Sequence, residues 1–132
     1  MKIDFLLDMT DGGKYPHADP VNLIRIFDFT VEEANLFAKA MDYNLLTLGS
    51  TLQVDKLDFV ESIKCTLRFE LSSEDLGMLL PDDHSTFICR LTRASYINIL
   101  DIIDRVGDGF NWLYDPKKDE EVDILFSGGG TW

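Results

Sequence analysis

The stretch Ile63-Lys64-Cys65-Thr66-Leu67-Arg68-Phe69-Glu70-Leu71 alternates strictly between apolar and polar residues. In a β-strand this alternation places all the apolar side chains on one face and all the polar side chains on the other. A sheet with one packed and one solvated face is typically antiparallel, because the strands of a parallel sheet that is covered on both faces are apolar throughout. Residues 86–91 alternate in the same way. We therefore expect them to form a strand that pairs antiparallel with the first one.

Further strand signals lie near both ends of the chain. Alternation over residues 2–8 predicts a first strand, and the denser apolar run over residues 21–29 predicts an interior strand that is covered on both faces. Residues 122–126 alternate again and predict the last strand.

Two connecting regions carry weaker signals. Within residues 45–62, Leu52 and Val54 suggest a short strand. Residues 55–60 fit either a capped helical turn or a strand that continues into the alternating stretch, and the odd positions of Leu57 and Phe59 favour the strand. Residues 72–85 form a polar loop, in which residues 74–80 leave open a turn of helix before a proline ends it.

Two amphipathic helices are predicted between these strands. Thr30 and Glu33 have the spacing of a capping box, in which each side chain bonds the backbone N–H of the other residue, and the helix that follows is expected to end near Asn44. The second helix is expected to begin near Thr92 or Ser95. Its apolar face consists of Tyr96, Ile99, Leu100, Ile103 and Val106.

The order of these elements predicts one α+β domain over residues 1–132. Its expected core is a mainly antiparallel sheet of about five or six strands, with two amphipathic helices on one face. Hydrophobic residues make up 45% of the chain, which is typical of globular proteins. No apolar run reaches the roughly 18–20 residues that a membrane span requires. Acids interrupt the N-terminal segment where a signal peptide would be continuously apolar, so we expect a cytoplasmic protein that does not bind membranes.

The two cysteines give no sign of chemistry. Cys65 and Cys89 both fall on the apolar faces of predicted strands, which favours two buried thiols over a disulfide or a redox pair. Without a Cys-x-x-Cys spacing or a cluster of cysteines and histidines, a structural zinc site is not expected. We expect no cofactor.

Charge is the strongest signal in the composition. The chain has 24 acidic and 12 basic residues and a formal net charge of −12. Such a surface repels nucleic acids and anionic membranes, whereas it attracts basic proteins and cations. A solvated acidic surface that only keeps the protein soluble is the simpler interpretation of the same charge.

Two loops combine histidine with carboxylates. His17 lies two residues before Asp19, and His84 directly follows Asp82 and Asp83. Two imidazoles and nearby carboxylates have the chemistry of a divalent metal site, and such a site would support a small metal-dependent hydrolase. The candidate metal ligands are His17, Asp19, Asp83 and His84, although nothing in the sequence brings the two loops together.

The segment from Asp101 to Asp123 mixes acids with aromatic residues. Aromatic side chains supply contact energy in protein interfaces, and carboxylates around them steer a cationic partner. The alternative is that the aromatic residues fold back over the core and need no partner. The candidate partner-binding residues are Asp101, Asp104, Asp108, Phe110, Trp112, Tyr114 and Asp115.

These features favour a non-catalytic, acidic interaction domain, such as an inhibitor or immunity-type protein that covers a basic partner. In size and acidity the chain is similar to many small bacterial immunity proteins, although no motif carries the similarity. The metal-dependent hydrolase is the competing hypothesis. Self-association through the solvated face of the sheet is a third.

Overall fold

The computed structural model describes residues 1–6, 22–106, 109–114 and 122–128. Within them the chain is an α+β protein with two α-helices and eight strands, so the predicted fold class is confirmed. The elements are β1 (Lys2–Leu6), β2 (Leu23–Phe27), α1 (Val31–Met41), a π-helical segment (Asp42–Thr47), β3 (Thr51–Gln53), a 3-10 turn (Val54–Lys56), β4 (Glu61–Ile63), β5 (Thr66–Leu71), β6 (Thr86–Leu91), α2 (Arg93–Val106), β7 (Phe110–Tyr114) and β8 (Asp123–Ser127).

The strands form two sheets of mixed direction. The larger sheet has the order β4-β1-β2-β8-β7 and the smaller one the order β3-β5-β6. β1 and β4, β2 and β8, and β5 and β6 are parallel pairs, whereas β1 and β2, β3 and β5, and β7 and β8 are antiparallel pairs. The expectation of one mainly antiparallel sheet was therefore wrong.

The alternating stretch from Ile63 to Leu71 is divided between the two sheets. Residues up to Ile63 belong to β4 of the larger sheet, and residues from Thr66 belong to β5 of the smaller one. Lys64 between them has a φ of 68°, in the left-handed region that turns an extended chain aside. Leu67 and Phe69 are buried, as the alternation predicted. The period of two thus predicted which side chains are buried, but it did not reveal the break.

The pairing of β5 with β6 is parallel, which corrects the antiparallel expectation. The strands pair in register from Thr66 opposite Thr86 to Leu71 opposite Leu91. Residues 72–85 join the end of β5 to the start of β6 and supply the crossover of about a dozen residues that a parallel pair needs. Alternation marks which face of a strand is buried and not the direction of the strand, so it could not distinguish the two arrangements.

Both helices begin where the sequence predicted. The Thr30 hydroxyl accepts a hydrogen bond from the Glu33 backbone N–H at 3.1 Å, and the Glu33 carboxylate accepts one from the Thr30 backbone N–H at 3.0 Å, which completes the capping box. α1 ends at Met41, slightly before the expected Asn44, and continues as the π-helical segment. In α2, Tyr96, Ile99 and Ile103 are buried.

The region from residue 45 to residue 62 agrees in part with its interpretation. The short strand suggested by Leu52 is β3, at Thr51–Gln53, whereas Val54 begins a 3-10 turn that follows directly. Leu57 and Phe59 lie outside the strands and are partly buried against the core, so the expectation of a strand at these two positions was wrong.

A row of aromatic side chains joins the two sheets through α1. Phe37 of α1 stacks on Phe126 of the larger sheet, with ring centroids 5.9 Å apart, and meets Phe69 of the smaller sheet edge-on at 6.5 Å. Tyr96 of α2 meets Phe69 edge-on at 5.9 Å. Both helices therefore share one hydrophobic core with both sheets. No helix among the described residues is long and apolar enough to cross a membrane.

The Tyr96 hydroxyl offers a test of this core. It lies within hydrogen-bonding distance of the carbonyl oxygens of Glu70, at 2.6 Å, and Cys89, at 3.0 Å, and so connects α2 to β5 and β6. Burial raises the pKa of this hydroxyl, which therefore stays protonated as a donor. We expect Tyr96→Phe to lower the free energy of unfolding in urea by about 1–2 kcal/mol.

Tyr43 provides the matched control for this substitution. Its side chain is exposed, so Tyr43→Phe should leave the free energy of unfolding unchanged within about 0.5 kcal/mol. Equal effects of the two substitutions would contradict the structural role of the Tyr96 hydroxyl.

Candidate functional site

The connection between β5 and β6, residues 72–85, is held against β6 by backbone hydrogen bonds. We call it the acidic connection. The N–H groups of Leu76 and Gly77 donate to the Arg90 carbonyl at 3.0 and 2.9 Å, and the Arg90 N–H donates to the Gly77 carbonyl at 3.0 Å. Gly77 has a φ of 76°, which favours glycine at this position. The chain therefore runs back beside β6, antiparallel to it at this point.

The next residue ties the acidic connection to the larger sheet. The Met78 side chain is fully buried, and the Met78 carbonyl accepts a hydrogen bond of 2.7 Å from the N–H of Val122, which directly precedes β8. The segment from Leu76 to Leu79 is thus fixed on both sides.

Two leucines project from this fixed segment into solvent. Leu76 is 51% exposed and Leu79 is 61% exposed, while Met78 between them is in the core. Single exposed leucines are common on protein surfaces. Leu76 and Leu79 differ from such single leucines because hydrogen bonds already hold their backbone. A partner that covers both therefore does not lose free energy in ordering this segment.

Apart from His84, the ionisable residues of the acidic connection are all acids. The acidic connection contains Glu74, Asp75, Asp82 and Asp83, and no lysine or arginine occurs from residue 69 to residue 89. The nearest cation in the sheet is Arg90, whose Nε lies 3.1 Å from the Glu70 carboxylate. Arg68 lies 3.1 Å from the same carboxylate. Both arginines therefore form ion pairs with Glu70, and the acidic connection keeps its negative charge.

Asp75 has a structural task at the start of α2. It accepts hydrogen bonds of 2.8 Å from the Thr92 N–H and from the Ser95 hydroxyl. These bonds stabilise the carboxylate and lower the pKa of Asp75 below its ordinary value.

Asp83, a predicted metal ligand, also has a structural task. It accepts hydrogen bonds from the N–H groups of Thr86 and Ser85, both at 2.9 Å, and from the Thr86 hydroxyl at 2.8 Å. These bonds lower the pKa of the Asp83 carboxyl. The side chain closes the turn that leads into β6.

His84, the second predicted ligand of this loop, is exposed and has a φ of 51°. Its ring meets Phe5 of β1 edge-on, with centroids 6.2 Å apart. The other two predicted ligands, His17 and Asp19, lie outside the described residues. Within the described ranges, no three histidine, cysteine or acidic residues come together as a possible metal site.

The predicted partner-binding acids lie on α2 where they are described. Asp101 and Asp104 are exposed, and Asp101 forms an ion pair with Arg105 one turn later at 2.7 Å. Asp108 and Asp115 lie outside the described residues.

The predicted aromatic residues lie on β7, an edge strand of the larger sheet. Trp112 packs against Leu125 on the face of the sheet away from the main core, and Phe110, on the same side of the strand, is 54% exposed. Leu113, on the other side of β7, belongs to the core that contains the buried face of α2. The backbone of Tyr114 ends the strand. The sheet therefore separates Phe110 and Trp112 from Asp101 and Asp104 and does not bring them onto one face.

Comparison of the chain with protein-family models, with curated proteins and with solved structures finds no match. The geometry of the described residues is therefore the basis of the functional argument.

Leu76 and Leu79 were not predicted from the sequence as a surface feature. A signal was present, since Leu76-Gly77-Met78-Leu79-Leu80 is a short apolar run between two pairs of acids. An apolar run without regular periodicity does not show which of its members are buried. The bridge to Arg90 and the bond to Val122 decide that Met78 is buried and that the leucines on either side are not.

The hydrogen bonds that the Asp83 carboxylate accepts predict that the stability of the fold falls in acid. Because its pKa in the folded state lies below the ordinary 3.8, the carboxylate stabilises the fold above pH 3.8, and this contribution is lost as the pH falls through the lowered pKa. Asp83→Ala should therefore lower the free energy of unfolding at neutral pH, and the difference from the unsubstituted protein should shrink in acid. Urea unfolding of both proteins over a series of pH values measures this difference in the free energy of unfolding.

Asp82→Ala is the matched control, since Asp82 is the adjacent exposed acid. At neutral pH, Asp82→Ala should lower the free energy of unfolding by less than Asp83→Ala does. A difference for Asp83→Ala that does not change with pH would contradict the assignment.

Proposed function

We propose that this chain is a non-catalytic, acidic interaction domain of the inhibitor or immunity type, which covers the cationic site of a basic partner protein. The observation that carries the proposal is the pair of exposed leucines, Leu76 and Leu79, on a hydrogen-bonded part of the acidic connection, which contains four acids and no lysine or arginine.

Apolar anchors supply the contact energy in this proposal. In protein interfaces a few desolvated side chains carry most of the binding free energy. Leu76 and Leu79 bury apolar area when a partner covers them, and the bonds of Gly77 to Arg90 already hold their backbone. The conformational entropy that the backbone of this segment loses on binding is therefore small.

The exposed carboxylates of the acidic connection steer a cationic partner towards the leucines and favour it over acidic proteins. Glu74 and Asp82 are exposed beside the leucines, and the whole chain carries a net charge of −12. Such a field accelerates the approach of a cationic protein and repels acidic competitors. A basic partner with an apolar depression near its cationic site has the complementary chemistry.

The alternative of a metal-dependent hydrolase has less support. Both carboxylate oxygens of Asp83 already accept hydrogen bonds from residues 85 and 86. Three of the roughly four lone pairs of this carboxylate therefore hold bonds that shape the turn into β6, which leaves Asp83 little capacity for a metal ion.

The proposal predicts one basic protein that binds through the two leucines. Three tagged baits are used to capture proteins from the native cell extract: the unsubstituted chain, Leu76→Ser/Leu79→Ser, and the control Phe110→Ser. The control removes an exposed apolar side chain from β7, where Phe110 pairs with Ser127 at the end of β8 opposite to the bond between Met78 and Val122. Any captured protein is then purified, and its affinity for each bait is measured by calorimetry at low and high salt.

We expect a one-to-one complex that the leucine variant weakens by about tenfold or more and that Phe110→Ser leaves intact. High salt should weaken the complex without abolishing it, because salt screens the carboxylates and leaves the apolar contact. A basic partner that binds the leucine variant as tightly as the unsubstituted chain would contradict the proposal, as would the absence of any basic partner.

A further inference from the structure

We draw no further inference here: the strongest candidate, the exposed apolar side of α1 that contains Leu36 and Tyr43, is a helix face for which nothing in the described part of the chain shows what covers it.

Discussion

The backbone bonds between Gly77 and Arg90 are the constraint on which the candidate site depends. β5 and β6 are parallel, so the chain must return from the end of one strand to the start of the other. It does so beside β6, where the bridge to Arg90 and the bond from Val122 fix its position. That position buries Met78 and leaves Leu76 and Leu79 in solvent. The same connection that makes the parallel pair possible therefore displays the two leucines.

The sequence predicted the features that depend on local chemistry. The capping box of Thr30 and Glu33 appears as expected, because it needs only two side chains and the first turn of one helix. The burial of Leu67 and Phe69 also appears, since period-two alternation determines which side of a strand is apolar. Spacing likewise identified the buried face of α2 around Ile99.

Features that depend on distant parts of the chain could not be predicted. The alternation from Ile63 to Leu71 continues across Lys64, so it concealed the turn at which the strand leaves one sheet for the other. The direction of β6 depends on the path of the acidic connection, which has no repeating pattern. The exposure of Leu79 depends on bonds to residues in two other strands or their flanks. The separation of Trp112 from the acids of α2 depends on the order of the sheet.

The acidic connection is a fixed part of the fold and presents its leucines in one geometry. Amide hydrogen exchange of the free protein, followed by NMR, measures whether its backbone is held. We predict that the amides of Gly77, Arg90 and Val122 exchange as slowly as the amide of Leu67 inside β5. Exchange of these three amides at the rate of an unprotected chain would mean that the segment is not held, and would contradict the account.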